Sequence, residues 1–290
     1  MAAQSRRTQK GNNDPARRKR KSWGQHFLES STAIERILDS LEITPGDPIL
    51  EIGPGRGAIT AGMLERGARV HAVEIDPQLV QELRGRFPAS LPFQLIPEDI
   101  RRLDSGRLLD ELEAAAPGPR VRIVGNLPYH AATVILRKFL DLSDRVRDLH
   151  FMFQEEVAER IVADPGTPEY GLLTVLCRTR YRNRILLRLP PGAFRPPPTI
   201  RSAFLRMVPE RQAGDLSAAE MGFGKLLRIA FGSRRKTLMN NFRMRLEPAM
   251  EMAGQWLEER GFPRDIRAQD LSPQDFLALY SRLHSRDMLG

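Results

Sequence analysis

Pro48-Ile-Leu-Glu-Ile-Gly-Pro-Gly-Arg-Gly57 is the stretch from which the rest of the chain can be read. Its apolar run at 48–53 reads as a strand buried on both faces, the habit of parallel sheets. The run ends in Gly53, Gly55 and Gly57, and a helical pattern follows at 59–66. Glycines at such a junction let backbone approach a ligand closely, and the new helix offers unpaired N–H donors. The spacing is G-x-G-x-G, not the G-x-G-x-x-G of dinucleotide binders.

Outward from that loop, short apolar runs alternate with helical spacing. Strands are expected at 70–75, Phe93–Ile96, 121–124, 149–153, somewhere within 172–189, and at 202–208; helices at 34–41 and Pro77–Arg86. Such alternation predicts an α/β fold built on a parallel sheet with crossover helices. After 208 the composition shifts to a linker at 209–214 and then to helix-like sequence broken at Pro248 and at Gly261-Phe262-Pro263. The expected organisation is a basic, disordered tail (1–22), an α/β domain (23–208) and a small helical domain (209–290).

Of the 290 residues 41% are hydrophobic and 28% charged, and no apolar run reaches the ~20 residues of a membrane span. The single cysteine, Cys177, excludes an internal disulfide and a cysteine-rich zinc site, and no metal is expected. The net charge of +9 is concentrated in residues 1–22, which hold +7. That imbalance points to a polyanionic partner such as RNA. Arg178, Arg180, Arg182 and Arg184 alternate as a strand would, placing four guanidiniums on one face.

The acidic residues place a ligand. Glu74 ends the second strand, where a carboxylate can accept from both hydroxyls of a ribose. Asp99 follows the third strand and can accept from an adenine amine; Ile75 and Ile100 can clamp the purine. Together with the glycine loop they fit an adenosine-containing cofactor that lacks a pyrophosphate. After the fourth strand comes Gly125-Asn126-Leu127-Pro128-Tyr129. The Asn126 side-chain oxygen and the Leu127 carbonyl are two acceptors for the hydrogens of an exocyclic amine. Pro128 biases Leu127 to an extended conformation, and Tyr129 offers a stacking face.

This segment resembles the [NDS]-x-P-[YF] signature of amino-group methyltransferases that use S-adenosylmethionine. The resemblance extends along the body to the small-subunit ribosomal RNA adenine dimethyltransferases. Gly24-Gln25-His26-Phe27-Leu28 looks like the family's motif over the methionine end of the cofactor, implying contacts from Gln25, His26 and Leu28. Gln154–Arg160 with Tyr170-Gly171, and Phe194-Arg-Pro-Pro-Pro-Thr-Ile-Arg-Ser202, match further family segments. Phe194 would then cover the second face of the target base, opposite Tyr129. Ala230-Phe-Gly-Ser-Arg234-Arg235-Lys236-Thr237 resembles a basic element of the family, making Arg234, Arg235 and Lys236 candidates for rRNA phosphate contact, with Ser233 as a helix cap.

The resemblance implies a Rossmann-like class I methyltransferase sheet with helices on both faces. It implies dimethylation of two adjacent adenosines in a hairpin loop near the 3′ end of small-subunit (16S) rRNA, within an assembling 30S particle. A monomer in the bacterial cytoplasm is the expected setting. Two other readings share part of the pattern: a large-subunit rRNA adenine methyltransferase of the resistance type, and an assembly factor whose binding role outweighs catalysis. The chain departs from the family at His26, where Asn is common, and at His130-Ala-Ala-Thr133.

Overall fold

The computed structural model describes residues 25–115, 118, 120–210, 220–243, 246 and 249–285. The expected basic tail, Gly24 and most of the expected linker lie outside the described residues.

Seven strands form one sheet: β2 (Pro48–Ile52), β3 (Arg69–Val73), β4 (Phe93–Ile96), β5 (Val121–Asn126), β6 (Val146–Gln154), β7 (Tyr181–Leu189) and β9 (Ser202–Pro209). Their order is β4-β3-β2-β5-β6-β9-β7. The first five in that order are parallel, while β9 runs antiparallel to both β6 and β7. A separate two-stranded ribbon pairs β1 (Phe27–Leu28) with β8 (Phe194–Arg195). Between β2 and β5 the chain order reverses, and ligands of open α/β sheets bind outside the carboxyl ends of strands at such a point.

Helices cover both faces: α1 (Ser31–Ser40), α2 (Ala58–Glu65), α3 (Pro77–Arg86), α4 (Ser105–Ala115), α5 (Tyr129–Leu140), α6 (Glu155–Val162) and α7 (Leu172–Arg178). Four more follow the sheet: α8 (Glu220–Ala230), α9 (Leu238–Arg243), α10 (Met250–Glu259) and α11 (Pro273–His284). The strands are buried on both sides, so their residues alternate between two apolar clusters. Ile49, Val124, Met152 and Phe204 meet α1 and α2 on one face. Leu50, Ile123, Phe151 and Leu205 meet α4 to α7 on the other, in a cluster that continues without a break into α8 to α11. Tyr170 donates to the Leu271 carbonyl (2.7 Å), and Arg234 to that of Tyr170 (3.1 Å).

The strand expected somewhere within 172–189 is β7, at 181–189, while 172–178 turn helical as α7. A short apolar run does not by itself distinguish a buried strand from a buried helix. The four-arginine stripe is broken by that change. Arg178 sits in α7 and donates to the Ala163 carbonyl (2.6 Å) and to Asp164 (2.8 Å). Arg180 is buried 3.3 Å from Asp141, so of the four only Arg182 and Arg184 are exposed on β7. Among the described residues no helix is long and apolar enough to cross a membrane.

Candidate active site at the carboxyl edge of the sheet

A cavity of about 360 Å³ opens at the carboxyl ends of β2 to β5. Every residue named above for cofactor or catalysis lines it except Phe194: Gln25, His26, Leu28, Gly53, Gly55, Glu74, Ile75, Asp99, Ile100, Asn126, Leu127, Pro128 and Tyr129.

The glycine loop forms its floor. Gly53, Gly55 and Gly57 all have left-handed φ, at 67°, 61° and 76°. At Gly57 an added Cβ would also lie 2.6 Å from the Phe87 ring and 3.1 Å from Leu83. Gly57→Ala therefore meets both backbone strain and overpacking, and is expected to cost about 1–3 kcal/mol. A fall in Tm measures it; an unchanged Tm would show that the loop relaxes freely. Phe27 lies against the loop, with the Arg56 guanidinium 5.0 Å above its ring.

Glu74 is buried just past β3. Its carboxylate accepts from the backbone N–H of Gly55 (3.2 Å) and of Asp76 (2.9 Å). Burial pushes its pKa up to about 6, against the pull of those N–H groups. Each oxygen keeps acceptor capacity. Ile75 beside it is 43% exposed, an apolar face turned outward. Asp76 caps α3 by accepting from Gln78 N–H (2.9 Å), with Pro77 at the first helical position.

Asp99 is more engaged than its sequence position suggested. Arg101 grips both its oxygens, Nε to Oδ1 at 3.0 Å and Nη2 to Oδ2 at 2.7 Å, and donates its backbone N–H to Oδ1 at 2.9 Å. Those hydrogen bonds hold the Asp99 pKa below its ordinary value. Glu51, which sequence reasoning passed over, lies buried under the cavity and accepts from Thr60 Oγ1 at 2.6 Å. Burial raises its pKa to about 7, and the neighbouring Glu74 charge adds to the rise. The only sequence signal for Glu51 was a charged residue inside an otherwise apolar strand.

Asn126 ends β5, and its Nδ2 donates to the His26 carbonyl at 3.0 Å. Donation fixes the amide orientation and leaves Oδ1 as a free acceptor. Pro128 precedes α5, and Tyr129 in its first turn hydrogen-bonds through its hydroxyl to Ser202 Oγ. Phe194, expected to cover the second face of the base opposite Tyr129, does not line the cavity. Phe194 is fully buried among Leu28, Leu189, Ala193 and Phe204, because β8 is rooted in the core on that side. The ring stacked on Tyr129 is His26.

The basic element lies away from the cavity, between α8 and α9, with Arg234, Arg235 and Lys236 exposed. Asn241 braces it from behind, donating to the carbonyls of Ala230 (2.8 Å) and Ser233 (3.0 Å). The hydroxyl that accepts at the start of α9 is Thr237, from Asn240 N–H, rather than Ser233. Among the described residues no three His, Cys, Asp or Glu converge as a metal site.

Ribosomal RNA small subunit methyltransferase A of Aromatoleum aromaticum is 38% identical over 271 residues, covering 90% of this chain and 93% of that protein. The protein of the same name from Thiobacillus denitrificans is 37% identical over 267 residues, covering 92% and 98%. Among solved structures, a dimethyladenosine transferase from Plasmodium falciparum superposes with a TM-score of 0.73 at 21% identity, over 90% of this chain and 98% of that one. The 23S rRNA methyltransferase ErmE gives 0.66 at 22%, over 89% and 99%. Those two likenesses establish the fold. The family model for ribosomal RNA adenine dimethylase matches residues 16–285, and with relatives this similar over nearly their whole length the chain belongs to that family.

Proposed function

We propose that the chain transfers methyl groups from S-adenosylmethionine to the N6 amines of two adjacent adenosines in small-subunit rRNA, two groups to each base. The observation that carries this reading is the Asn126 amide at the cavity edge, turned by the His26 carbonyl so that Oδ1 is left as an acceptor. The small-subunit methyltransferase relatives support the choice of substrate.

The cavity residues fit the cofactor. Glu74 is a buried carboxylate with lone pairs to spare for a ribose diol, Ile75 presents an apolar face to a purine, and the left-handed glycines bring backbone to the ligand. Asp99, with three N–H donors from Arg101 already on it, keeps about one of four acceptor sites for the adenine amine. Once bound, S-adenosylmethionine supplies an electrophilic methyl group. The protein's part is to hold the acceptor amine. Asn126 Oδ1 and the Leu127 carbonyl take its two hydrogens and draw the nitrogen lone pair out of ring conjugation. Positioning of this kind is worth up to ~7–11 kcal/mol of barrier. Target bases in a loop are already unpaired, so little stacking opposes their arrival.

Arg234, Arg235 and Lys236 are assigned to rRNA phosphates, residues 209–290 to a helical RNA-binding unit beside the 23–208 catalytic unit, and the working form to a monomer on the assembling 30S particle. The test is transfer of labelled methyl to unmethylated small subunits, large subunits and naked rRNA, with mass mapping of the product. Dimethyladenosine at adjacent positions near the small-subunit 3′ end is expected. Label confined to large-subunit rRNA would move the chain to the resistance type.

Glu74→Ala is expected to weaken cofactor binding at least tenfold by calorimetry. The carboxylate accepts fully only when ionised, and its pKa is about 6. Affinity of the unaltered protein should therefore fall as pH drops from 7 to 5, and Glu74→Gln should flatten that fall. A profile unchanged in Glu74→Gln would assign the titration elsewhere.

A further inference from the structure

The strands whose ends line the cavity stand in the order β4, β3, β2, β5. Asp99 follows β4, Glu74 follows β3, the glycine loop follows β2, and Asn126 ends β5. An adenosine with its base at Asp99 and its ribose at Glu74 therefore sends its 5′ substituent on toward the glycine loop, two strand spacings or roughly 10 Å from β4. Five carboxylates line this cavity, those of Glu29, Glu51, Glu74, Glu98 and Asp99, against two arginines, Arg56 and Arg101. Arg101 is committed to Asp99 at the β4 end. Arg56 stands at the β2 end, inside the glycine loop, and no carboxylate or carbonyl among the described residues takes its N–H donors. Its backbone is fixed all the same, since Arg86 Nη1 donates to its carbonyl at 2.5 Å. Its guanidinium is held 5.0 Å above the Phe27 ring, and a guanidinium on a ring face keeps its edge donors available. His26 cannot take the same part. Its Nδ1 lies 2.7 Å from the Pro196 carbonyl, which can only accept, so the neutral ring is left with an acceptor at Nε2.

Resting on the function proposed above, we infer that Arg56 binds the α-carboxylate at the amino-acid end of the cofactor, and so makes the protein select S-adenosylmethionine over an adenosyl sulfonium that lacks that carboxylate. The sulfonium and the α-amine are cations, and the acidic lining suits them. The carboxylate is the one part of the molecule that such a lining repels, and it needs a counter-charge where the ligand ends. Arg56 is the cavity arginine at that end and the one left without an acid partner among the described residues. Its planar fork matches the two oxygens of a carboxylate. Phe27 covers one face of the guanidinium, which keeps the side chain from wandering into solvent and aims the remaining donors.

The test is calorimetry on the full chain with S-adenosylmethionine and with decarboxylated S-adenosylmethionine, which keeps the adenosine, the sulfonium and the amine. The unaltered protein is expected to bind the carboxylate-bearing ligand about tenfold or more tightly than the decarboxylated one. Arg56→Met should lose about tenfold in affinity for S-adenosylmethionine and bind the decarboxylated form within about twofold of the unaltered protein, so that the preference disappears. Arg56 is exposed, and Tm should not move. Arg56→Lys, which keeps the charge without the fork, should retain part of the preference. Equal losses for both ligands in Arg56→Met would show that the residue shapes the loop and meets no carboxylate, which overturns the inference. An unaltered protein that binds the two ligands equally well overturns it too. If the unaltered protein binds neither ligand, the cofactor reading itself fails and the role of Arg56 falls with it.

Discussion

Asn126→Ala lowers the rate of methyl transfer about a hundred- to a thousandfold and leaves Tm nearly unchanged. The side chain is half-buried at the end of β5, and its one internal bond, to the His26 carbonyl, orients the amide rather than holding the fold. What the substitution removes is Oδ1, one of two acceptors for the amine. An exocyclic amine is a poor nucleophile while its lone pair is spread into the ring. Gripping both hydrogens favours the pyramidal nitrogen that reacts, so the contact strengthens as the reaction proceeds. Deleting one preorganised group of that kind typically costs 10²–10³ in rate. Single-turnover transfer to unmethylated small subunits reads the effect. A loss below tenfold would mean that the Leu127 carbonyl suffices, and a parallel loss of cofactor affinity would recast Asn126 as a cofactor ligand.

Arg122→Met is expected to destabilise the protein by about 3–5 kcal/mol. Arg122 on β5 and Asp148 on β6 are each about 1% exposed, and Nε and Nη2 meet the two carboxylate oxygens at 2.6 and 3.0 Å. Arg122 Nη1 also donates to the Leu41 carbonyl, tying the end of α1 to the sheet. Burial works to raise the Asp148 pKa, but His150 and the Arg122 guanidinium outweigh it and keep the carboxylate ionised. Removing Arg122 takes away the carboxylate's two-pronged partner and leaves that buried charge to the buried His150 and the partly exposed Arg206, each 3.2 Å away. The pair itself is a different matter, since two apolar residues of similar volume replace a buried ion pair at little net cost. Arg122→Met/Asp148→Leu should therefore be more stable than either single variant, and a denaturant double-mutant cycle shows it. Additive single effects would mean that water reaches the site.

Much of the cavity was legible because its residues are local to strand ends. The G-P-G-R-G run, Glu74, Asp99 and Asn126-Leu127-Pro128-Tyr129 each follow an apolar run recognisable by itself, and parallel strands bring such ends to one edge. The α3 cap was legible for the same reason, being a matter of Asp76-Pro77 alone. Residues 172–178 were not, because apolar residues in a short run satisfy a helix and a strand equally.

Local chemistry in the sequence determined the α/β alternation, the place of the cavity and nearly all of its lining, since periodicity, glycine conformation and proline restriction act over a few residues. Tertiary structure alone decided what faces what. It buried Phe194 and set His26 on Tyr129, 103 positions further along the chain. It gave Arg122 a carboxylate 26 positions away. Such pairings depend on how the sheet, the β1–β8 ribbon and the helices pack in three dimensions, and no spacing in the sequence carries that information.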